Sequence, residues 1–429
     1  MDDPSYEDDP SPSDDEASSD AAGSAAGCGL WAGAGALVAV AVVVVVVAVQ
    51  ANLFTAHHSP TTSAGGQATV VFDQDSIAAL GLHFGPDSAV TGLVDRSGHV
   101  YAYFTGNPSP SVANGFQLYR FASDATLSHL TPAPSHAVLE PGDAGDVSPV
   151  PWCSPQTCFD QTYAGGGSVL QCPGGGPLLV AYHGEEATDP DGDRNGTQGW
   201  SGIGVAAWNP ATSRFTKVDQ AIGLAASNIW RQSRSGARTD QTAPASYQGS
   251  LVDDPATGQV RLYYGDVAPA TAPNATPQTR VAVAAIDRTT LCADAVAGRH
   301  APWKKWYEGA FSQPGVHTAD QPGGRAGSGG RFTPLDVAPG ATSPSVVRTT
   351  KGWYMVTTEG HAAVTLATSS DGITWTRPTT VYTTASGQIR YASLWLTGSN
   401  QAQVTFTWNA HISGWRGDFA LERFGLTLP

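Results

Sequence analysis

Acidic, amide and histidine side chains recur at one position of a repeated pattern along this chain, in the clusters Thr105 to Asn107, His183 to Glu186, Asp266, Glu359 to His361 and Asn409 to His411. Carboxylates gathered around one opening are what general acid–base chemistry needs, with one kept protonated by its surroundings and another ionised. Each cluster closes a run of the same form: a short apolar stretch, a turn bearing glycine, then a second stretch rich in Tyr, Val and Thr. The five runs span Gly92 to Asn107, Gly167 to Glu186, Gly249 to Asp266, Pro344 to His361 and Ala392 to His411, with turn glycines Gly98, Gly176, Gly258, Gly352 and Gly398.

A two-stranded hairpin cannot bury its own faces, so five of them must pack on one another about a common axis. The pattern therefore predicts an all-β fold, a five-bladed β-propeller over residues 68–429. The inner strand of a blade runs from one end of the axis to the other and the second strand returns, which would bring all five polar clusters to one mouth. Helical periodicity is scarce after residue 60, whereas β-branched and aromatic runs bounded by Gly, Pro, Asp and Asn are frequent.

Residues 1–28 carry nine carboxylates and no basic residue, and their Ser, Pro, Gly and Ala offer little apolar surface to offset the entropy of ordering; a disordered acidic tail is expected. The formal charge of −15 less those −9 leaves −6 for the rest, which argues against a nucleic-acid partner. Within residues 29–50, Leu30 to Val49 is an uncharged apolar run. At about 1.5 Å per residue its twenty residues span about 30 Å, so a single-pass transmembrane helix is expected. It lies too far from the start, and lacks the basic flank, of a cleaved signal peptide. Residues 51–67 read as a polar linker, and the expected location is the cell membrane with the C-terminal domain extracytoplasmic.

That orientation rests on cysteine. Four of the five, Cys153, Cys158, Cys172 and Cys292, lie in the domain after the linker, an even number without a metal-type pair. Three connectivities are open; Cys153–Cys158 with Cys172–Cys292 across adjacent blades is the preferred one. Only four lysines stand against eighteen arginines, which reads as genomic bias without chemical meaning. The run Asp189, Asp191, Asp193, Asn195 has oxygen ligands at alternate positions, as calcium loops do. It departs from the EF-hand pattern at Arg194 and Trp200, so calcium is a candidate cofactor beside the alternative of a solvated loop.

Ser369 to Trp375 reads S-S-D-G-I-T-W and resembles the Asp-box turn of sialidases and other propeller glycoside hydrolases. That resemblance implies a structural role: Asp371 capping backbone N–H groups, Gly372 at positive φ, and Trp375 packing back between blades. The count of five hairpins turns the resemblance toward the five-bladed arabinanase and xylosidase group, where carboxylates entering the first three blades act as base, pKa modulator and acid. By that resemblance Asp87 takes the first position, as base or nucleophile, and Asp160 the second. The third departs from the family pattern, because Tyr247-Gln248-Gly249 stands where a Glu-Gly pair is expected and Gln248 cannot donate a proton. Glu185 and Asp266 are then the candidates for the acid. His183, Gln248, Glu359, His361, Arg390, Asn409 and His411 are expected to bind substrate at the mouth, and His183, His361 or His411 could hold a central ion.

Sugar faces stack on aromatic rings. Trp303 and Trp306, within a basic aromatic stretch read as an excursion from the third blade, are expected to line a groove with other tryptophans of the connections, whereas Trp208, Trp353, Trp375 and Trp395 read as core. The function expected is a membrane-anchored glycoside hydrolase acting on a cell-envelope or environmental polysaccharide by paired carboxylates. The alternatives are a non-catalytic carbohydrate-binding or envelope-scaffolding propeller, favoured by Gln248, and a protein-binding propeller.

Overall fold

The computed structural model describes residues 68–83, 90–94, 100–106, 116–124, 127, 130–132, 137–141, 160, 163–185, 201–223, 249–268, 278–316, 330–337, 341–410 and 419–429. The expected acidic tail, transmembrane helix and linker lie outside them. No helix among the described residues is long and apolar enough to cross a membrane.

Strand β1 (Thr69–Asp73) runs into the short helix α1 (Gln74–Ala78), which starts at a capping box between Asp73 and Ser76. The first sheet holds β2 (Val90–Val94), β3 (Val100–Gly106), β4 (Gln117–Ser123) and β5 (Leu130–Pro132). The second holds β6 (Tyr163–Gln171), β7 (Leu178–Glu185), β8 (Ser201–Asn209) and β9 (Arg214–Gly223). The third holds β10 (Ser250–Asp254), β11 (Gln259–Ala268), β12 (Gln278–Asp287), β13 (Lys304–Tyr307) and β14 (Ala310–Pro314), with helix α2 (Arg288–Ala297) between β12 and β13. The fourth holds β15 (Thr342–Arg348), β16 (Trp353–Glu359), β17 (Ala363–Ser369) and β18 (Thr379–Thr383). The fifth holds β19 (Gln388–Leu396), β20 (Gln401–Asn409) and β21 (Phe419–Thr427), and β1 pairs with β21 at its outer edge.

Every sheet is antiparallel, its strands in chain order except that β1 closes the fifth, and four of them are four-stranded as propeller blades are; the third carries a fifth strand. Their first strands touch in a closed cycle, β2 to β6 to β10 to β15 to β19 and back to β2. The fold is all-β and propeller-like. Its first hairpin in each sheet coincides with one of the five repeated runs, because consecutive strands joined by a tight turn are the pairing a local pattern can report. The basic aromatic stretch from Lys304 to Pro314 is not an excursion but two strands of the third sheet, which buries Trp303 and seats Trp306 edge-on against Phe311 at 5.1 Å.

Second strands lie between neighbouring sheets, so both of their faces are covered. In β11, Leu262 and Tyr264 pack toward the second sheet while Tyr263 packs toward the fourth. In β16 every residue from Trp353 to Thr358 is buried. One hydroxyl spans each of the five junctions. Thr105 Oγ1 accepts from Gly166 N at 2.7 Å, Ser168 Oγ from Leu251 N, Ser250 Oγ from Val346 N at 2.9 Å and Ser345 Oγ from Leu394 N at 2.9 Å. Thr405 Oγ1 donates to Val90 O at 2.9 Å to complete the circuit. The run Gly165-Gly166-Gly167 is needed where Thr105 and Ala181 press on β6: a Cβ on Gly167 would sit 1.7 Å from the Ala181 carbonyl oxygen.

A disulfide joins Cys172, just after β6, to Cys292 in α2. It closes a separation of 120 residues, worth about 5 kcal/mol in the chain-entropy account. Cys153 and Cys158 lie outside the described residues.

Candidate functional site

The antiparallel registers place the start of each first strand beside the end of each second strand. Tyr163 lies opposite Glu185, Gly165 opposite His183, Thr342 opposite Thr358, and Gln388 opposite Asn409. Parallel bridges Phe116–Tyr163 and Gly167–Gly249, with the hydroxyl links above, align neighbouring sheets in the same sense. The ends of β3, β7, β11, β16 and β20 therefore share one end of the ring, and with them Thr105, His183, Glu185, Asp266, Glu359 and Asn409.

Two of the candidate acids are withdrawn from that end into the junctions between sheets. Asp160 is 1 % exposed, 2.7 Å from Lys217 Nζ, and accepts from the Tyr182 hydroxyl at 2.8 Å. Asp266 is 0 % exposed, 3.6 Å from Lys305 Nζ, which itself lies 6.0 Å from the centre of the Tyr264 ring. The two groups stand on opposite faces of the second sheet, at its junctions with the first and third. Each is a carboxylate, a lysine and a tyrosine, brought together from three chain segments in the first group and from strands β11 and β13 in the second. Burial pushes the Lys305 ammonium below its usual range, against the opposing pull of Asp266. Burial, and then Asp266, push the Tyr264 hydroxyl well up.

His183 lies on the same face of its sheet as Leu179 and Ala181, with its ring 5.4 Å from that of Tyr163. It is 1 % exposed, and burial pushes its pKa down to about 3, so the imidazole is neutral at physiological pH. His361 is exposed and sits at φ 58° after β16, where its carbonyl accepts from Ile389 N at 2.6 Å. Partial desolvation of the ring, and then the neighbouring Arg390 cation, push its imidazole below the usual range. Arg390 donates to Gln388 Oε1 at 3.0 Å, Glu359 is exposed at the end of β16, and Asn409 is buried at the end of β20.

Glu185 is the last residue of β7, and only its backbone is described. Asp87, Gln248, His411 and the candidate calcium ligands Asp189, Asp191, Asp193 and Asn195 lie outside the described residues. Among the described residues no group of three or more His, Cys, Asp and Glu side chains is arranged to hold a metal.

Lys217 and Lys305 escaped the sequence reading, which gave the scarcity of lysine no chemical meaning. Both sit on the core-facing side of a strand: Lys217 follows Phe215 at a spacing of two, and Lys305 follows the buried Trp303 in the same way. A lysine at a core-facing position needs a counter-charge, and that was the available signal.

Asp371 lies at the opposite end of the sheets. Its Oδ1 accepts from Ile373 N and Thr374 N, each at 2.7 Å, Gly372 has φ 74°, and Trp375 is buried with its ring edge-on to Tyr263 of the third sheet. Burial opposes ionisation of Asp371, but the hydrogen bonds from Thr374, Ile373 and Ser369 outweigh it and hold the carboxyl below its usual range. Arg261 Nη1 and the Tyr263 hydroxyl of the neighbouring sheet donate to the Asp371 and Gly372 carbonyls, so this turn fastens two sheets together.

No protein-family model and no curated protein matches the sequence. Among solved structures the chain is similar to a thermostable family-43 glycoside hydrolase, at 12 % identity with a TM-score of 0.44, over 86 % of this chain and 94 % of that one. It is similar also to an alpha-L-arabinofuranosidase from Lactobacillus brevis, at 11 % identity with a TM-score of 0.45, over 82 % and 93 %. A third is a GH43_1 enzyme from Xanthomonas citri, at 13 % identity with a TM-score of 0.44, over 79 % and 87 %.

Proposed function

We propose that the five sheets are the blades of a propeller whose mouth is the active site of a glycoside hydrolase. The substrate is a cell-envelope or environmental polysaccharide, pentose-containing, and the domain is held outside the membrane by the helix at residues 29–50. The observation that carries this reading is the closed cycle of first strands, which brings the ends of five second strands, with Glu185, Asp266 and Glu359 among them, to one end of the ring.

Cleavage needs two carboxyl groups on either side of the bond, about 5–5.5 Å apart for retention or about 6.5–9.5 Å for inversion. Asp87 as base or nucleophile and Glu185 as acid are the pair we assign, since Asp160 and Asp266 are each buried against a lysine. Asp160 and Asp266 then act from behind the surface, fixing local charge beside the reacting groups, and Gln248, Glu359, His361, Arg390 and His411 hold the sugar, with the buried His183 and Asn409 behind them. The S-S-D-G-I-T-W turn serves this reading as an Asp box that joins blades. A calcium ion in the loop from Asp189 to Asn195 is a further part of the proposal, testable by the effect of chelator on melting.

The decisive experiment compares hydrolysis of arabinan, xylan and sialosides by the wild type, Asp87→Asn and Glu185→Gln. Release of pentose by the wild type and a loss of about 10²–10⁴-fold in kcat in each variant, with polysaccharide binding retained, is the expected outcome. Binding without cleavage by the wild type would instead establish the carbohydrate-binding or scaffolding alternative that Gln248 favours.

A further inference from the structure

At the turn end of the sheets, opposite the proposed mouth, a cavity of about 510 Å³ opens between the first and second sheets. Tyr101, Arg120, Gln171, Trp208 and Val296 line it together with the turn from Gly175 to Pro177. Its volume falls in the range of small-ligand sites. Arg120 is held between two rings: its guanidinium carbon lies 3.6 Å from the centre of Tyr101 and 4.5 Å from that of Trp208. Phe215 meets the Trp208 ring edge-on at 5.1 Å, which keeps that ring upright. The Arg120 Nε is buried without a hydrogen-bond partner, and no carboxylate among the described residues pairs with the guanidinium.

Four other arginines are matched by carboxylates, whereas Arg390 donates to an amide, Gln388 Oε1. Arg261 and Arg348 pair with Asp254, Arg288 with Asp253, and Arg214 with Glu140. A guanidinium oriented by stacking keeps its in-plane N–H groups for a planar anion, which it grips with two parallel hydrogen bonds. Gln171 donates its Nε2 to Gly176 O at 2.6 Å, so its amide is fixed in the cavity wall. The wall opposite is α2, pinned to the β6–β7 turn by Cys172–Cys292, and it presents Val296, which is 74 % exposed. Apolar surface, a fixed amide and an unpaired stacked cation suit a sugar that carries a carboxylate.

The geometry points to a second glycan site here, in which Arg120 takes the carboxylate of a uronic acid residue of the polysaccharide. The identification of a sugar rests on the carbohydrate reading above; the anion specificity rests on Arg120 alone. The site would hold the acidic portion of a mixed polymer at the end of the ring remote from cleavage.

Calorimetric titration of the full chain with oligogalacturonate, with a neutral xylo-oligosaccharide of equal length and with oligoglutamate tests it. Oligogalacturonate should bind the wild type, and Arg120→Met should weaken that binding by at least about tenfold while leaving neutral-polysaccharide cleavage unchanged. Val296→Glu, at an exposed helical position where folding is not at risk, adds a repelling carboxylate to the rim and should weaken it severalfold. Wild-type binding in both variants, or no oligogalacturonate binding by the wild type, would overturn the site; oligoglutamate binding as tightly would reassign it to acidic peptides. Failure of the hydrolase reading shows separately, as absent cleavage beside retained, Arg120-dependent uronate binding.

Discussion

The junction between the second and third sheets and the junction between the fourth and fifth solve the burial of an acid in different ways. At the first, Asp266 is fully buried on the face of β11 that Leu262 and Tyr264 share, with Lys305 as counter-charge. At the second, Glu422 on β21 sits among rings: Tyr382 is stacked on Phe424 at 5.3 Å and lies 4.9 Å from Phe406, and the Tyr382 hydroxyl reaches Glu422 Oε2 at 3.5 Å. Burial pushes Glu422 up to about 7, with the Tyr382 hydrogen bond opposing the shift. An acid paired with a cation holds a permanent dipole, whereas one facing a hydroxyl gives up its charge to a proton. The second arrangement makes stability depend on pH as neutrality is approached.

Breaking the ion pair should have the largest effect. Lys305→Met leaves Asp266 buried without its counter-charge, and urea unfolding should show a loss of about 3–5 kcal/mol, whereas Lys305→Met combined with Asp266→Leu should return close to wild-type stability. A double variant as unstable as the single one would mean that Lys305 works through packing, not charge. The contrast sharpens at the other junction. Glu422 ionises near pH 7 when folded and near pH 4.5 when unfolded, so its stabilising contribution is full below pH 4.5 and is lost as pH rises to about 7, by about 3 kcal/mol. Glu422→Gln should flatten the stability profile across that window, and an unchanged slope would assign the dependence to another group. The smallest effect belongs to the links that both junctions share. Ser345→Ala removes the acceptor for Leu394 N and should cost about 1 kcal/mol in the unfolding midpoint, without a pH dependence.

Much of this architecture was legible because it is local. The run from Pro344 to His361 became β15 and β16, and that from Ala392 to His411 became β19 and β20, since alternation and a tight turn specify a hairpin without reference to distant residues. The lysine partners were not legible, because Asp160 meets Lys217 and Asp266 meets Lys305 through the stacking of strands that no local pattern pairs. Asp371 was readable as a capping side chain through the resemblance of its seven-residue turn to an Asp box, and Cys172–Cys292 belonged to the preferred of three connectivities because it bridges adjacent sheets. The site is the least legible part. Burial decides whether a carboxyl can meet a substrate, and nothing near Asp266 in the sequence announces that it is enclosed.

The pairing of β1 with β21 also bears on how the ring comes into being. Of the described strands β1 is made first and its partner last, so it must wait for that partner and every strand between them before its pairing edge is covered. Closure of the ring consequently waits until the last described strand has been made, and a chain stalled before Phe419 would expose a sticky strand at each end.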